Sequence, residues 1–284
     1  MTSLKKRLSA LGIGALLLAL GGCSPALLNL FVPSSGSAVH DDIAFGSDPR
    51  QKLDIYVPDG LSKPAPVLLF FYGGSWQFGA KDQYRWLGQT FAAQGIVTVI
   101  ADYRIYPPAH FPDFVDDAAQ ALRKVHETIA SYGGDPTRIF VAGHSAGAYN
   151  AVMLASNPKY LRDAGGDPSW IRGAIGIAGP YDFLPMTDPN IIAIFGGPSV
   201  PATQPINFID GKRPPMLLAA GTADETVSPG NTERMTQKLK ANGSEVQEIL
   251  YPGVGHTGIL LSLAPGFRGK TTLREDMVGF IRSH

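Results

Sequence analysis

Short apolar runs recur along the chain, each too brief for a helix and each closed by a turn. Residues 67–72 (Val-Leu-Leu-Phe-Phe-Tyr), 96–101, 139–142, 171–178 and 216–220 are nearly continuous. That pattern predicts strands buried on both faces. Residues 53–57 alternate apolar with polar and, with 43–45, predict two opening strands toward a sheet edge. Residues 246–251 predict the last strand. Between these runs the spacing turns helical. Phe114, Val115, Ala118, Leu122, Val125 and Ile129 fall on one face, and Asp116 and Asp117 lie near its positive end. Further helices are expected over 82–94, after residue 145 until Asn157-Pro158, over 231–241 and over 272–283. Only 181–213 is irregular and proline-rich, with one apolar run at 191–195. Strands alternating with helices predict an α/β fold with a mostly parallel sheet and helices on both faces. Such sheets bind ligands at the carboxyl ends of their strands.

The first residues obey another logic. Lys5, Lys6 and Arg7 precede an apolar stretch, 8–20, shorter than the roughly 20 residues that span a bilayer. This is the pattern of a secretory signal. It ends in Leu20-Gly21-Gly22-Cys23, which resembles a bacterial lipobox, and Cys23 is the sole cysteine. The expected organisation is a lipoprotein signal peptide over 1–22, a Ser/Pro/Gly-rich tether over 23–38 and one domain over 39–284. Lipid on Cys23, palmitate among its acyl chains, would make this an exported bacterial lipoprotein anchored to the cell-envelope membrane. One cysteine forms no intramolecular disulfide. Cleavage would leave 21 basic against 24 acidic residues. No basic stripe for nucleic acid is present.

Gly143-His144-Ser145-Ala146-Gly147 is a G-x-S-x-G sequence set between a predicted strand and a predicted helix. Such a turn is sharp and strained, so glycine flanks the serine and Ser145 Oγ is presented at the carboxyl end of the sheet. A serine hydroxyl needs a base within reach, and the base needs an orienting acid. Of six histidines, His256 alone stands in a Gly-rich loop directly after a late strand. His144 adjoins the serine, where the backbone turns its ring elsewhere. Asp224 follows a buried strand, with Glu225 as the rival acid. The order Ser145, Asp224, His256 is that of an α/β-hydrolase. An oxyanion needs two amides, expected from Ala146 and from Gly74 or Ser75 in the loop after the third strand. Tyr72, Trp76 and Tyr181 are expected to line an aromatic substrate pocket. No metal-ligand cluster is visible, and neither metal nor cofactor is expected.

Together the elbow, Tyr-Gly-Gly-Ser-Trp, Ala-Asp-Tyr-Arg, Gly-Thr-Ala-Asp and Gly-Val-Gly-His resemble the α/β-hydrolase serine carboxylesterases. The likeness runs from about residue 43 onward. It is nearest to small bacterial esterases with an H-G-G-x-W loop, related to hormone-sensitive-lipase-like enzymes and kynurenine formamidases. Tyr72 stands where that loop usually has histidine. The resemblance implies a Ser-His-Asp hydrolase of small-molecule carboxylic esters, short-acyl or aryl, working through an acyl-enzyme. An arylformamidase, another small amidase or a peptidase uses the same constellation. A membrane-tethered, non-catalytic binding module of this fold is expected to have lost a triad member, and here all three are present.

Overall fold

The computed structural model describes residues 25–30, 36–267, 269 and 271–284. The expected signal peptide and Cys23 lie outside the described residues. The strands are β1 (Ser37–Ala44), β2 (Lys52–Pro58), β3 (Ala65–Phe71), β4 (Val97–Ala101), β5 (Gly134–His144), β6 (Ile171–Ile177), β7 (Met216–Gly221) and β8 (Val246–Tyr251). The α-helices are α1 (Arg85–Ala92), α2 (Asp113–Thr128), α3 (Ala146–Ser156), α4 (Lys159–Asp163), α5 (Pro189–Phe195), α6 (Gly230–Ala241), α7 (His256–Leu261) and α8 (Leu273–Ser283).

All eight strands form one sheet in the order β1-β2-β4-β3-β5-β6-β7-β8. β2 runs antiparallel to both β1 and β4, and every other neighbouring pair is parallel. This is the mostly parallel sheet that the apolar runs predict, in the α/β-hydrolase architecture that the resemblance implies. Every residue of β4 and β7 is buried. Successive side chains point to opposite faces, so burial of both sets requires cover on both sides of the sheet. The edge strands β1 and β8 are only partly covered, and their apolar runs are correspondingly weaker.

α3 is buried along its whole length and packs on β5 and β6. Ala146, Gly147, Ala148, Ala151 and Ala155 give it a surface small enough to lie close to the sheet. α2 buries the apolar face expected of it, and Asp117 goes in with that face. Arg104 donates to both oxygens of Asp117 from Nε and from its own amide, and Gln51 Nε2 adds a bond of 2.8 Å. A buried carboxylate so paired ties α2 to the segment after β4.

Part of the segment expected to be a tether packs on the domain. Pro25–Leu30 forms a 3-10 turn that buries Leu28. Asn29 Nδ2 donates to Asp82 O at 2.8 Å, and Trp86 N donates to Asn29 Oδ1 at 2.9 Å. Ser37 and Ala38 already belong to β1. A leucine and an asparagine that fit the domain surface hold what composition alone marks as linker.

Candidate active site

β3 through β8 end along one edge of the sheet. Between β5 and α3 the chain turns on Ser145, whose φ of 56° and ψ of −122° lie outside the ordinary range of a side-chain-bearing residue. Its amide donates to Ile177 O at 2.9 Å and its carbonyl accepts from Tyr149 N at 3.0 Å. The flanking glycines are steric requirements. A Cβ on Gly147 would lie 2.0 Å from Phe71 O, and one on Gly143 would lie 2.3 Å from the Gly147 carbonyl.

Asp224 and His256 meet at the same edge. Asp224 stands three residues after β7, and its Oδ1 accepts from the amides of Thr226 and Val227, each at 2.9 Å. His256 Nδ1–H donates to Asp224 Oδ2 at 2.7 Å. That bond fixes the ring's tautomer and leaves the lone pair of the neutral imidazole on Nε2. Burial pushes the Asp224 carboxyl up, but the bonds from His256, Val227 and Thr226 outweigh it and hold it below the usual carboxylate range. Glu225, the rival acid, is exposed. His256 does not sit in an open loop; it is the first residue of α7, with Gly255 as the N-cap.

The loop after β3 packs against the elbow. A Cβ on Gly73 would lie 3.0 Å from Ser145 Cβ, so only glycine admits this approach. Gly74 (φ 136°), Ser75 (φ 51°) and Trp76 (φ 57°) form a tight turn in which Gly74 O accepts from Gln77 N and Phe78 N, each at 2.9 Å. Ser75 and Ala146 line one cleft with Ser145. The amides at the start of α3 have no intrahelical partner, as in any helix, and the positive end of its dipole is here.

Two of the expected pocket residues do not line the cleft. Tyr72 is fully buried, stacked between Tyr84 and Tyr103 with ring centroids 5.3 and 4.9 Å away. Its hydroxyl donates to Asp102 and accepts from Arg50 Nη2 at 2.8 Å. Arg50 Nη2 also donates to Gly79 O, and Tyr103 Oη donates to Tyr72 O, both at 2.8 Å. Tyr72 thus belongs to a clamp under the glycine loop. Burial, and after it the Asp102 charge, push the phenol well above its ordinary pKa, so it stays neutral. Tyr181 is also fully buried, a core ring at the start of the segment 181–213. An aromatic just beyond a strand can turn to either side, and for these two the packed side won. Trp76 does line the cleft, its ring set against Tyr149 and Phe195 and its Nε1 donating to Asn150 Oδ1 at 3.1 Å.

The cleft encloses about 610 Å³ between the elbow and a cap formed by 181–213. Phe183, Met186 and Ile191 supply apolar wall; Thr226, Asn231 and Arg234 supply polar wall. The cap contains α5, begun by Asp188, whose Oδ1 accepts from Asn190 N and Ile191 N. Asn231 Oδ1 accepts from the amides of Tyr181 and Asp182, and Arg234 pairs with Asp182, so α6 holds the cap down. Among the described residues no three His, Cys, Asp or Glu side chains cluster as a metal-binding set. Arg50, Asn231 and the inward turn of His144 carry no signal in the sequence pattern; Asp102 lies in the Ala-Asp-Tyr-Arg motif.

The BD-FAE family matches residues 53–239, well over half of the chain and inclusive of the elbow, the glycine loop and Asp224. The chain belongs to the BD-FAE family. The prolyl oligopeptidase family also matches, over residues 199–280. Beyond the family, the chain is 31% identical over 269 residues to an isoprenylcysteine alpha-carbonyl methylesterase of Arabidopsis thaliana, covering 86% of this chain and 62% of that protein. It is 34% identical over 212 residues to carboxylesterase NlhH of Mycobacterium tuberculosis, covering 69% of this chain and 64% of the relative. The chain therefore spans less than two thirds of the length of these curated relatives. Among solved structures, a truncated carbohydrate esterase from gut microbiota superposes with a TM-score of 0.75 at 20% identity, covering 89% of this chain and 98% of that one. A thermophilic esterase of Thermogutta terrifontis gives 0.69 at 24%, covering 88% and 93%. Both share the α/β-hydrolase fold of this family member.

Proposed function

We propose that this protein hydrolyses carboxylic esters through Ser145, His256 and Asp224. The observation that carries the reading is the 2.7 Å bond from His256 Nδ1 to Asp224, at the strand edge that holds a strained serine and a packed glycine loop. The methylesterase and carboxylesterase activities of the relatives support it. In this reading Ser145 Oγ attacks the acyl carbon while His256 Nε2 takes its proton. Asp224 keeps the ring in that tautomer and stabilises its cation. The amides of Ala146 and of Gly74 or Ser75 meet the oxyanion. His256 then gives the proton to the leaving alcohol, and water repeats the cycle on the acyl-enzyme. The test is Ser145→Ala on 4-nitrophenyl esters: kcat should fall by about 10⁴–10⁶ with the melting midpoint unchanged. Hydrolysis at the wild-type rate would reject the nucleophile.

We also infer a preference for small acyl groups. The cap carries one seven-residue helix, α5, half-buried against the core, and no long apolar stripe of the kind a lipid-binding lid needs. Trp76 and Phe183 give the cleft flat apolar walls suited to an aryl leaving group. Catalytic efficiency should peak between acetyl and butyryl along a chain-length series of 4-nitrophenyl esters. A maximum at decanoyl, or activation by a lipid interface, would reject the preference. The lipobox sequence supports the further reading that Cys23 carries lipid and anchors the protein to a membrane.

A further inference from the structure

We propose that His144, the residue beside the serine in the elbow, is a positioning residue that holds the backbone of His256 at a fixed place relative to Ser145. The inference rests on the hydrolase reading above, in which His256 is the base.

The loops bearing Asp224 and His256 are laced to each other. Ala223 N donates to Val254 O at 3.0 Å, Gly253 N donates to Thr222 Oγ1 at 2.9 Å, and a Cβ on Gly221 would lie 2.0 Å from Val254 O. Together with the bond between the two side chains, this makes the acid and the base one unit at the ends of β7 and β8. Nothing in that lacing sets its distance from Ser145, which stands at the end of β5. His144 supplies the link. Its Nε2–H donates to the carbonyl of His256 at 3.0 Å, across 112 residues of chain. The two imidazole centroids are 4.7 Å apart. The other edge of the His144 ring abuts the glycine loop, its Nδ1 lying 3.1 Å from where a Gly73 Cβ would be. One ring therefore touches the base's backbone and the loop that packs on the nucleophile, while its own backbone continues into Ser145.

The choice of histidine has a physical reason. The tie needs a donor long enough to span from the elbow to α7, and the donor must stay uncharged beside a ring that becomes cationic in the reaction. Burial, and after it the neighbouring His256, lower the His144 pKa to about 3, so it is neutral throughout the working range. A lysine there would oppose the imidazolium, and an aliphatic residue would drop the tie.

The test compares His144→Leu with His144→Gln. The glutamine amide nitrogen donates from about the place of Nε2, whereas leucine fills the space without a donor. With 4-nitrophenyl acetate, His144→Leu should lower kcat by about 10–100-fold while KM stays within about twofold, the cost of a base displaced by a fraction of an ångström. His144→Gln should recover most of that loss. The hydrogen-bonded Nδ1–H proton resonance of His256 should shift or broaden in His144→Leu and return in His144→Gln. Should His144→Leu fail to fold, His144→Asn, whose shorter amide reaches only the Nδ1 position, makes the same comparison. A folded His144→Leu with wild-type kcat, or a folded His144→Gln as impaired as His144→Leu, would overturn the inference. Ser145→Ala assayed alongside separates the two readings: its inactivity upholds the hydrolase mechanism whichever way the His144 variants fall.

Discussion

His144 and Asp224 both have their pKa lowered in the folded protein, and each has a consequence that can be measured. Unfolded, His144 binds a proton at about pH 6.5, but in the folded protein its burial defers that to about 3. The folded state binds fewer protons than the unfolded one across that window. Stability is therefore full above about pH 6.5 and lost progressively as pH falls toward 3. Melting midpoints followed from pH 7 to 4 should decline, and decline less steeply in His144→Leu; parallel curves would show that another group governs the acid limb. Asp224 is tested through rate. Asp224→Asn should cost about 10⁴ in kcat by reversing the His256 tautomer, whereas Glu225→Gln, at an exposed side chain, should stay within about twofold. A larger loss from Glu225→Gln would reassign the acid.

Among the elements, α5 has the most to lose from one substitution. Its seven residues begin at an Asp188 cap with Pro189 in the first turn, and short helices depend on such caps. Asp188→Ala should cost about 1 kcal/mol of stability and raise KM more than it lowers kcat, because Asp188, Asn190 and Ile191 line the cleft. Unchanged KM with a fall in kcat alone would show that α5 serves the chemistry rather than binding. This cap was also where the sequence said least, since four other prolines surround a helix that only Asp188, Pro189 and the apolar run 191–195 announce. Strands buried on both faces were legible because burial forces a continuous apolar run, as in 67–72 and 216–220. β1 was half legible: as an edge strand exposed along much of its length, it needs no apolar pattern. The strand ends bearing Ser145, Asp224 and His256 could be read in order, because turn residues follow each run. That His256 opens a helix could not, for six residues after Gly255 carry too little periodicity. Nor could the inward fate of Tyr72 and Tyr181, which is decided by partners such as Asp102 and Arg50, distant in sequence.

At the scale of the whole molecule, what counts is how the domain meets its surroundings. No helix among the described residues is long and apolar enough to cross a membrane; the attachment proposed above runs through lipid on Cys23. A single acyl chain binds only marginally, while two or more hold stably. The native protein should therefore fractionate with membranes and Cys23→Ala should not; unmodified Cys23 in soluble native protein would reject the anchor. The docked turn Pro25–Leu30 then matters in a different way. Asn29 fastens it to Asp82 and Trp86, a few residues beyond the glycine loop, and only two residue steps separate Cys23 from Pro25. At about 3.5 Å per residue that leash spans at most roughly 7 Å. Such a protein does not drift over its bilayer like a balloon on a string. So anchored, it would stand on one side of itself, the number of poses open to the cleft would be small, and its encounters with any ester lodged in the same bilayer would become a search in two dimensions rather than three.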